Sequence, residues 1–505
     1  MAEQRWALFS VHDKAGIVEV ARWARSAGLN LAASGGTARH LEAAGLAVEP
    51  LERWTGFSEL LGGRVKTLHP RIYAGLLSRE DERDRADRLQ VEAPRIALVV
   101  VNLYPFEARW ETGADLDQLV EEIDIGGVSL IRAAAKNWRN VLVATDPAQY
   151  PALMARPLDA WSDAERLAWA TSAFYHMAYY DAVIARALSR WSPVAPYPRY
   201  WAMPGGRGQP LRYGENPHQS AVLYTVPGEA GVATAELVQG KPLSYNNLAD
   251  AEVAWRLVTE LPLVSAVAVK HQTPCAAAVA STPAEAFQRA RDADPVSIFG
   301  GIVAFNAPVD EAAARRLVDL FLEVVVGPQF QPEALRVLEQ KPNLRVLQAT
   351  AGAPAEEVRR ISGGLLVQAA DRFDVDPARF RRVAGPEVPQ AMALDIALAW
   401  KAAAFVKSNA VVVVRDGVTR GIGGGQTNRI DAARQALERA GSYAQGAVLA
   451  SDGFFPFGDV IEAARAAGIA VVVQPGGSVR DQESIDAAQA AGITLLFTDE
   501  RHFRH

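Results

Sequence analysis

Short apolar runs alternate along the first part of the chain with longer segments that carry apolar residues at helical spacing. The runs are residues 7–11, 29–33, 96–102 and 141–145. Between the first two, residues 14–27 place apolar side chains on one helical face, and Gly28 closes the predicted helix. The run 96–102 is apolar up to its last residue, as central parallel strands are. This alternation predicts an α/β domain with a doubly wound parallel sheet.

Proline and glycine concentrate between residues 193 and 210, where the alternation stops. Both residues interrupt helices and strands, so the segment predicts a linker. We therefore divide the chain into a first domain of residues 1–195, a linker of residues 196–210 and a second domain of residues 211–505.

Apolar runs resume in the second domain and again alternate with helical segments. They lie near residues 264–270, 300–305, 363–368, 410–414, 447–451 and 469–473. Residues 299–305 and 421–425 share a pattern of apolar residues with glycines. We expect two related α/β lobes, of approximately residues 211–385 and 386–505.

The composition of the 505 residues is that of a globular enzyme, with 50% apolar and 22% charged residues. Its 52 basic and 58 acidic residues give a charge of −6, which implies no general affinity for nucleic acid. Cys275 is the only cysteine, so an intrachain disulfide is excluded and a reducing compartment fits. No run reaches the length of a membrane span, and the first residues lack the apolar core of a signal peptide. We expect a cytoplasmic protein without nucleic-acid or membrane partners.

A cation and a base, Lys270 and His271, directly follow an apolar strand-like run. Ligands of α/β proteins bind where the strands of the sheet end. An imidazole can take a proton from a weak nucleophile, and a neighbouring ammonium can tune its pKa and hold an anion. The alternative is a structural or merely exposed histidine.

Two segments of the first domain have the composition of anion sites. Ser34-Gly-Gly-Thr37 opens a helix after a strand, where free amides and the helix dipole attract anions, although an N-cap with a tight turn fits equally. Residues 62–70 place Arg64, Lys66 and Thr67 after paired glycines, which suits a phosphate and a neighbouring oxyanion. A solvated basic turn is the alternative there. Lys14, after the first strand, can join the same site.

Polar side chains also follow the strand 96–102 and precede a later helix. Asn102 and Tyr104 stand at the strand end, where ordinary turn chemistry is the alternative. Asp124 precedes a helix that carries Arg132 and Lys136 on one face, four residues apart and without an acidic partner in that stretch. This arrangement favours an anion site over a salt-bridged surface.

The glycine-rich segment 421–426 superficially resembles a dinucleotide fingerprint, but Gln426 occupies its sixth position. No acidic residue follows about 20 residues later at the end of a next strand, so we reject NAD binding. Residues 451–459 place three aromatic residues and two carboxylates at a strand end, fit to hold a flat ring with amino groups. A core aromatic cluster is the alternative. Residues 501–505 form a basic end that suits a phosphate or a frayed tail.

Taken in order, these segments resemble the AICAR formyltransferase / IMP cyclohydrolase family of purine synthesis, over essentially the whole chain. The matching segments are 34–37, 62–70, 102–106, 124–137, 211–219, 270–275, 407–409, 421–429, 454–459, 474–478 and 501–505. The resemblance implies formyl transfer from 10-formyltetrahydrofolate to AICAR (5-aminoimidazole-4-carboxamide ribotide), then closure of the formylated product, FAICAR, to IMP. It implies a methylglyoxal-synthase-like Rossmann domain, followed by two cytidine-deaminase-like α/β lobes without zinc.

The resemblance also assigns roles in the formyltransferase. His271 would deprotonate the AICAR amine with Lys270 beside it, and Asn409 would position the formyl group and stabilise the oxyanion. Arg212, Tyr213 and Arg501 would bind the ribotide. The positions that match AICAR or folate contacts are Arg212, Tyr213, Asn247, Gly300, Glu323, Arg429, Ile430, Phe454, Asp459, Ser478, Val479 and Arg501.

In the cyclohydrolase, the resemblance implies that Lys66, Tyr104, Asp124 and Lys136 polarise the formyl oxygen and move protons during ring closure. The residues that would cradle the nucleotide are His12, Lys14, Ser34, Gly35, Gly36, Thr37, Arg64, Thr67, Asn102, Ile125 and Gly126. A homodimer with transferase sites between subunits is implied, and a structural monovalent cation stays open.

Four positions depart from the family pattern. His12 stands where Ser is common, Ala276 where Gly is common, and Asp499 and Glu500 add negative charge before Arg501. A zinc deaminase is a rival interpretation, but one cysteine cannot supply its thiolate ligands. A non-catalytic nucleotide sensor is a second rival, against which the acid–base residues of the first domain argue.

Overall fold

Each of two units of the chain is built around its own sheet in the computed structural model, which describes residues 3–57, 61, 64–65, 67–192, 197–373 and 376–505. The first unit comprises Met1–Gly206 and Val226–Gly228, and the second comprises Arg207–Thr225 and Glu229–His505. The predicted linker begins at residue 196, which lies outside the described residues, and it runs into the second unit.

The first unit contains a five-stranded sheet in the order β3-β2-β1-β4-β5, in which every pair is parallel. Its strands are β1 (Arg5–Val11), β2 (Asn30–Ala33), β3 (Glu49–Pro50), β4 (Arg95–Asn102) and β5 (Leu142–Ala144). Its helices are α1 (Ile17–Ser26), α2 (Gly35–Ala43), α3 (Leu51–Thr55), α4 (Pro70–Leu77), α5 (Glu82–Gln90), α6 (Phe106–Glu111), α7 (Leu116–Glu121), α8 (Gly126–Lys136), α9 (Tyr150–Met154) and α10 (Asp163–Leu188). The four apolar runs predicted as strands are β1, β2, β4 and β5.

Burial explains the continuous apolar run of β4. Seven of the eight residues of β4 are buried, because helices cover both faces of this sheet. The long helix α10 begins at a capping box, in which Ser162 and Glu165 exchange hydrogen bonds. Since all strands are parallel, their carboxyl ends meet at one edge, and the loops after β1, β2 and β4 lie there together.

The second unit contains a twelve-stranded sheet and two small two-stranded sheets, β6–β7 and β14–β15. Its strands are β6 (Gly206–Leu211), β7 (Ala221–Thr225), β8 (Glu236–Gln239), β9 (Ser265–Lys270), β10 (Thr273–Val279), β11 (Ile302–Phe305), β12 (Val324–Gly327), β13 (Arg345–Gln348), β14 (Glu356–Ile361), β15 (Gly364–Ala369), β16 (Arg381–Ala384), β17 (Val411–Arg415), β18 (Val418–Gly423), β19 (Val448–Ser451), β20 (Val471–Gln474) and β21 (Thr494–Phe497). Its helices are α11 (Tyr245–Glu260), α12 (Pro283–Ala293), α13 (Glu311–Val318), α14 (Pro332–Leu338), α15 (Ala393–Ala404), α16 (Arg429–Ala440), α17 (Asp459–Ala466) and α18 (Asp481–Ala491).

The large sheet consists of two six-stranded halves with the same order of elements. From the centre outward, the first half reads β10-β9-β11-β12-β13-β8 and the second reads β18-β17-β19-β20-β21-β16. Each half has the same sequence of antiparallel, antiparallel, parallel, parallel and antiparallel pairs. The halves join through the antiparallel pair of β10 and β18. The second half therefore repeats the first in reverse strand direction.

One edge of this sheet, which we call the site edge, is the edge at which β9 ends at Lys270 and β17 begins at Val411. The antiparallel pairs β9–β10, β10–β18 and β18–β17 place those two ends on the same side. β11 to β13 begin at the site edge, because β11 is antiparallel to β9. β19 to β21 end there, because β19 is antiparallel to β17.

Two features of the second unit differ from the sequence expectation. The apolar run near 363–368 forms β15, which pairs only with β14 outside the large sheet. β16, residues 381–384, pairs with β21, so the second half begins before the lobe boundary predicted at 385–386. The reason is that a short edge strand with exposed arginines carries no apolar signal.

No helix within the described part of the chain is both long and apolar enough to cross a bilayer.

Candidate active sites

The first candidate site lies at the carboxyl edge of the parallel sheet, where α2 begins. Ser34 precedes α2 without a side-chain bond to the helix, and its hydroxyl lies 3.1 Å from that of Ser10. Thr37 Oγ1 is 3.2 Å from both the amide and the carbonyl of Val11. A Cβ atom added at Gly35 would meet nothing within 4 Å, so the start of the helix is open on that side. An anion can approach the amides there.

Asn102 holds the loop that follows β1. Its Oδ1 accepts hydrogen bonds from the amides of His12 at 2.6 Å and Asp13 at 2.9 Å, and its Nδ2 donates to the Asp13 carbonyl at 2.9 Å. Lys14 Nζ donates to the carbonyls of Val11 and, at 3.2 Å, His12. Asn102 was predicted to cradle the nucleotide, and the structure shows its amide engaged in shaping the loop that carries Lys14.

Asp124 lies at the start of α8, beside the same edge. Its Oδ1 accepts the amide of Gly127 at 2.6 Å, and its own amide donates to the Tyr180 hydroxyl at 2.9 Å. Burial raises the pKa of Tyr180 to about 12, so this hydroxyl stays protonated near neutral pH. A Cβ atom at Gly126 would come within 2.5 Å of Thr67 Oγ1, so glycine lets Thr67 lie against the helix start. Ile125, which lies between Asp124 and Gly126 in the chain, is half exposed.

Two of the predicted cyclohydrolase cations, Lys136 and Arg64, do not converge on Asp124 in the described structure. Lys136 ends α8, ten residues after Gly126, which separates their Cα atoms by about 15 Å. Arg64 is exposed and pairs with Glu121 at 3.1 Å. Lys66 lies outside the described residues, so its position stays a prediction.

The second candidate site is a cavity of about 1200 Å³ at the site edge of the large sheet. Seven residues that were predicted from the sequence line it: Arg212, Tyr213, Asn247, Lys270, His271, Gly300 and Glu323. Four further cations line it as well: Lys241, Lys341, Arg345 and Lys407. A phosphate or carboxylate entering this cavity would meet positive charge on several sides.

His271 stands on a two-residue hairpin turn between β9 and β10. Thr273 pairs with Lys270 across the turn, and both His271 and Gln272 have left-handed backbones, with φ of 55° and 58°. This is the pattern of a type I′ turn. The Asp250 carboxylate accepts the amides of His271 at 3.3 Å and Gln272 at 2.6 Å. The exposed His271 ring thus lies on a turn whose backbone is held by Asp250 of α11.

The neighbours of His271 in the cavity are held by other contacts. Lys270 Nζ donates to the Phe299 carbonyl at 3.0 Å. Gly300, with φ of 70°, donates its amide to the Phe321 carbonyl at 2.8 Å. Glu323, whose carboxylate was predicted to contact ligand, forms a salt bridge of 2.7 Å with Arg345. Arg345 was not predicted as a site residue.

Asn409 belongs to a buried polar cluster just before β17. Arg429 Nη2 donates to Asn409 Oδ1 at 2.6 Å, and Asn409 Nδ2 donates to the Gln426 carbonyl at 2.9 Å. Arg429 Nη1 donates to Asp452 and, at 2.7 Å, to Ser451. The Arg429 and Asp452 side chains are 6% and 0% exposed, so this ion pair is closed to water. The Arg429 guanidinium holds the Asn409 amide, and the predicted contact of Arg429 with ligand stays a prediction.

The remaining predicted residues of the second half lie after β18 to β21, at the same site edge. Phe454 is half-buried, Asp459 Oδ1 accepts the amide of Val460 at 2.8 Å, and Ser478 Oγ accepts the amide of Arg480 at 3.1 Å. Ile430 is partly exposed and Val479 is fully exposed. Arg501 is also exposed, and its guanidinium lies 4.3 Å from the centre of the Phe503 ring.

The His271 group and the Asn409 group are neighbours along the site edge without forming one cluster. Only β18 separates β10 from β17, so their backbones are about 10 Å apart at that edge. Lys407 lines the His271 cavity, whereas Asn409, two residues later, does not.

Comparison with known proteins assigns the chain to a family. The model of the AICARFT/IMPCHase bienzyme matches residues 134–439, and the model of the MGS-like domain matches residues 16–129. The chain belongs to the AICARFT/IMPCHase bienzyme family. The "Bifunctional purine biosynthesis protein PurH" of Mycobacterium leprae is 44% identical over 99% of this chain and 97% of its own length. The protein of the same name from Mycobacterium marinum is 45% identical over 99% and 98%.

A solved structure titled "Crystal structure of ForH" covers 37% of this chain and 100% of its own, at 34% identity and a TM-score of 0.33. The family assignment confirms the predicted fold class, with an MGS-like domain first, and the predicted pair of activities. The chain is a purine-biosynthesis enzyme with AICAR formyltransferase and IMP cyclohydrolase activities.

The departures from the AICARFT/IMPCHase pattern are each accommodated in the structure. The His12 ring packs edge-on against Tyr104, with 5.5 Å between ring centres. Ala276 lies inside β10, where it is fully buried, and not in the turn formed by His271 and Gln272. Asp499 pairs with Arg381 at 3.3 Å, so its charge has a partner. Glu500 lies 3.9 Å from the His502 ring.

No group of three or more His, Cys, Asp or Glu side chains that could hold a metal ion occurs within the described ranges.

Proposed function

We propose that the second unit transfers the formyl group from 10-formyltetrahydrofolate to AICAR in the cavity at the site edge. The observation that carries this proposal is the exposed His271, beside Lys270, in a cavity with several cations. The cations suit the ribotide phosphate and the carboxylates of the folate. A neutral imidazole suits the task of accepting a proton from the weakly nucleophilic AICAR amine.

The transfer then follows from the placement of donors and acceptors. The amine nitrogen attacks the formyl carbon while His271 takes its proton, and the carbonyl oxygen gains negative charge. Asn409 Nδ2 has one hydrogen left after its bond to the Gln426 carbonyl, and it donates that hydrogen to the oxyanion. The bond between the formyl carbon and folate N10 then breaks, and N10 receives a proton from His271. The ammonium of Lys270 lies beside the imidazole and offsets the negative charge that develops during the transfer.

We propose that the first unit closes FAICAR to IMP at the carboxyl edge of its parallel sheet. The start of α2 and the loop carrying Lys14 suit the nucleotide phosphate, and Asp124, with Tyr104, lies at the same edge. In ring closure, the carboxamide nitrogen attacks the formyl carbon and water leaves, so one group must take a proton and another must give one. Asp124 and Lys66 are our candidates. Lys136 lies too far along α8 to reach Asp124 of its own chain, so it can take part only if it serves the site of another subunit.

We propose a homodimer in which His271 and Asn409 of different subunits complete one transferase site. Asn409 is not among the residues that line the cavity around His271 of the same chain, and this supports the arrangement. The division of activities at residues 196–210, the cytosolic location and any bound monovalent cation remain predictions from sequence and family.

The test uses the whole chain with AICAR and 10-formyltetrahydrofolate, and follows FAICAR and IMP separately. His271→Ala should lower formyl transfer by roughly 10²–10⁴-fold, the usual contribution of a general base. The same variant should still convert added FAICAR to IMP. Asp124→Asn should give the opposite pattern, with FAICAR accumulating. Loss of both activities in either variant would contradict the separation of the sites.

A further inference from the structure

The repeat within the second unit places an aspartate at the same structural position in both halves. Asp250 on α11 precedes the β9–β10 turn by 21 residues, and Asp395 on α15 precedes the β17–β18 turn by 21 residues. The Asp395 carboxylate accepts the amides of Asp416 at 2.9 Å and Gly417 at 2.6 Å. Asp250 makes the same two bonds to the first half's turn.

The two turns share their backbone as well as their carboxylate. Asp416 and Gly417 have φ of 56° and 69°, close to the 55° and 58° of His271 and Gln272. Burial raises the pKa of both aspartates, and in both the two amide bonds oppose that shift. The fold therefore uses one device twice: a carboxylate, half-buried in Asp250 and buried in Asp395, that fastens a left-handed hairpin turn to the preceding helix.

The two copies differ in what the turn residues are. Gly417 adopts a positive φ without a steric penalty, whereas both residues of the first turn carry a Cβ atom. The first turn therefore depends more strongly on its carboxylate. It also lies at the site edge, whereas the β17–β18 turn lies at the opposite edge, about 20 Å away along β10.

We propose that Asp250 is a positioning residue for formyl transfer, because its carboxylate fixes the turn that presents His271 to the cavity. This inference rests on the proposed role of His271 as the base. Nothing in the family-based reading of the sequence singled out Asp250. Asp395 then performs the same structural task on a turn that carries none of the candidate residues.

The chain thus contains its own matched control. Asp250→Asn and Asp395→Asn each keep the size of the side chain, remove the charge and replace one acceptor by an NH₂ group. Both should lower the temperature of thermal unfolding, and Asp250→Asn should lower it at least as much as Asp395→Asn, because the first turn depends more strongly on its carboxylate. Asp250→Asn should lower the kcat of formyl transfer by about 10- to 100-fold, as a displaced catalytic group does, with little change in the KM for AICAR. Asp395→Asn should keep the transfer kcat within about twofold of the wild type, since it shifts no group at the site.

Two further measurements separate positioning from other roles. In a His271→Ala background, Asp250→Asn should lower transfer by less than about twofold, because it acts through the histidine that is already absent. Gln272→Gly should restore part of the activity of Asp250→Asn, since glycine adopts the turn without the carboxylate. If Asp250→Asn fails to fold, Asp250→Asn with Gln272→Gly replaces it in every comparison.

Three results would overturn the inference: equal losses of transfer kcat in the two Asp→Asn variants, a loss confined to KM, or an additive loss in the His271→Ala background. A His271→Ala protein with normal transfer would instead refute the proposed function itself. A His271→Ala protein that is inactive, with Asp250→Asn fully active, would leave the proposed function standing and remove only this inference.

Discussion

Arg429→Gln should disable formyl transfer although Arg429 is enclosed by protein groups. Its Nη2 fixes Asn409 Oδ1 at 2.6 Å, and the Gln426 carbonyl fixes Asn409 Nδ2 at 2.9 Å. Together these bonds decide which end of the amide is the donor. Without the guanidinium, the amide can rotate and present its oxygen to the oxyanion. Loss of one such donor lowers kcat by roughly 10²–10³-fold.

The same substitution also affects stability, and the two effects must be separated. The Asp452 side chain is 0% exposed and would lose its cation, which costs about 3–5 kcal/mol for a buried pair. Arg429→Gln combined with Asp452→Asn removes both charges and should recover much of that stability. It should not recover transfer, because no cation then orients Asn409.

The assay measures kcat and KM for formyl transfer, conversion of added FAICAR to IMP, and thermal unfolding of the same preparations. Arg434→Gln is the matched control, since Arg434 lies one and a half turns further along α16, exposed and paired with Asp431 at 3.4 Å. It should change neither activity. Normal transfer in the Arg429→Gln, Asp452→Asn protein would refute the argument, and so would an unchanged kcat with a raised KM, which would make Arg429 a ligand contact.

An inactive His271→Ala protein mixed with an inactive Asn409→Ala protein should regain partial formyl transfer on subunit exchange, and failure despite proven exchange would place both residues in one chain's site. Lys136→Ala should let FAICAR accumulate if Lys136 serves the site of another chain, and mixing it with Asp124→Asn should then restore IMP formation; unchanged cyclisation in Lys136→Ala would remove Lys136 from the mechanism. Burial raises the pKa of the half-buried Cys275 thiol to about 12, so iodoacetamide at about pH 8 should alkylate it far more slowly in the native protein than after unfolding. Rapid alkylation of the native protein, measured by mass, would contradict that burial.

The apolar strands could be predicted from the sequence because burial on both faces leaves a continuous apolar run. β4 and β9 are such runs, and both were placed within a residue of their observed bounds. Short edge strands were missed for the opposite reason. β3 has two residues and β16 is mostly exposed, so neither carries a run that could be recognised.

The sequence predicted His271 and Asn409 as site residues but did not predict which groups hold them in place. Asp250 and Asp452 act through backbone amides and an arginine far along the chain, and nothing in their own neighbourhood marks that task. One signal was available, since the 21-residue spacing from aspartate to turn occurs in both halves. Recognising it requires that the repeat first be aligned, and the repeat is visible in strand order rather than in residue identity.

The antiparallel join of the two halves explains how a repeated fold can carry chemistry that is not repeated. Because β10 and β18 run in opposite directions, equivalent turns of the two halves lie at opposite edges of the sheet. The site edge therefore receives the hairpin turn from the first half and the carboxyl ends of β19 to β21 from the second. The site edge also receives the start of β17, so His271, the proposed base, and Asn409, the proposed oxyanion donor, occupy positions that are not related by the repeat. The turn at Asp416 and Gly417 lies at the far edge, where the Asp395 carboxylate holds its backbone as Asp250 holds the other turn.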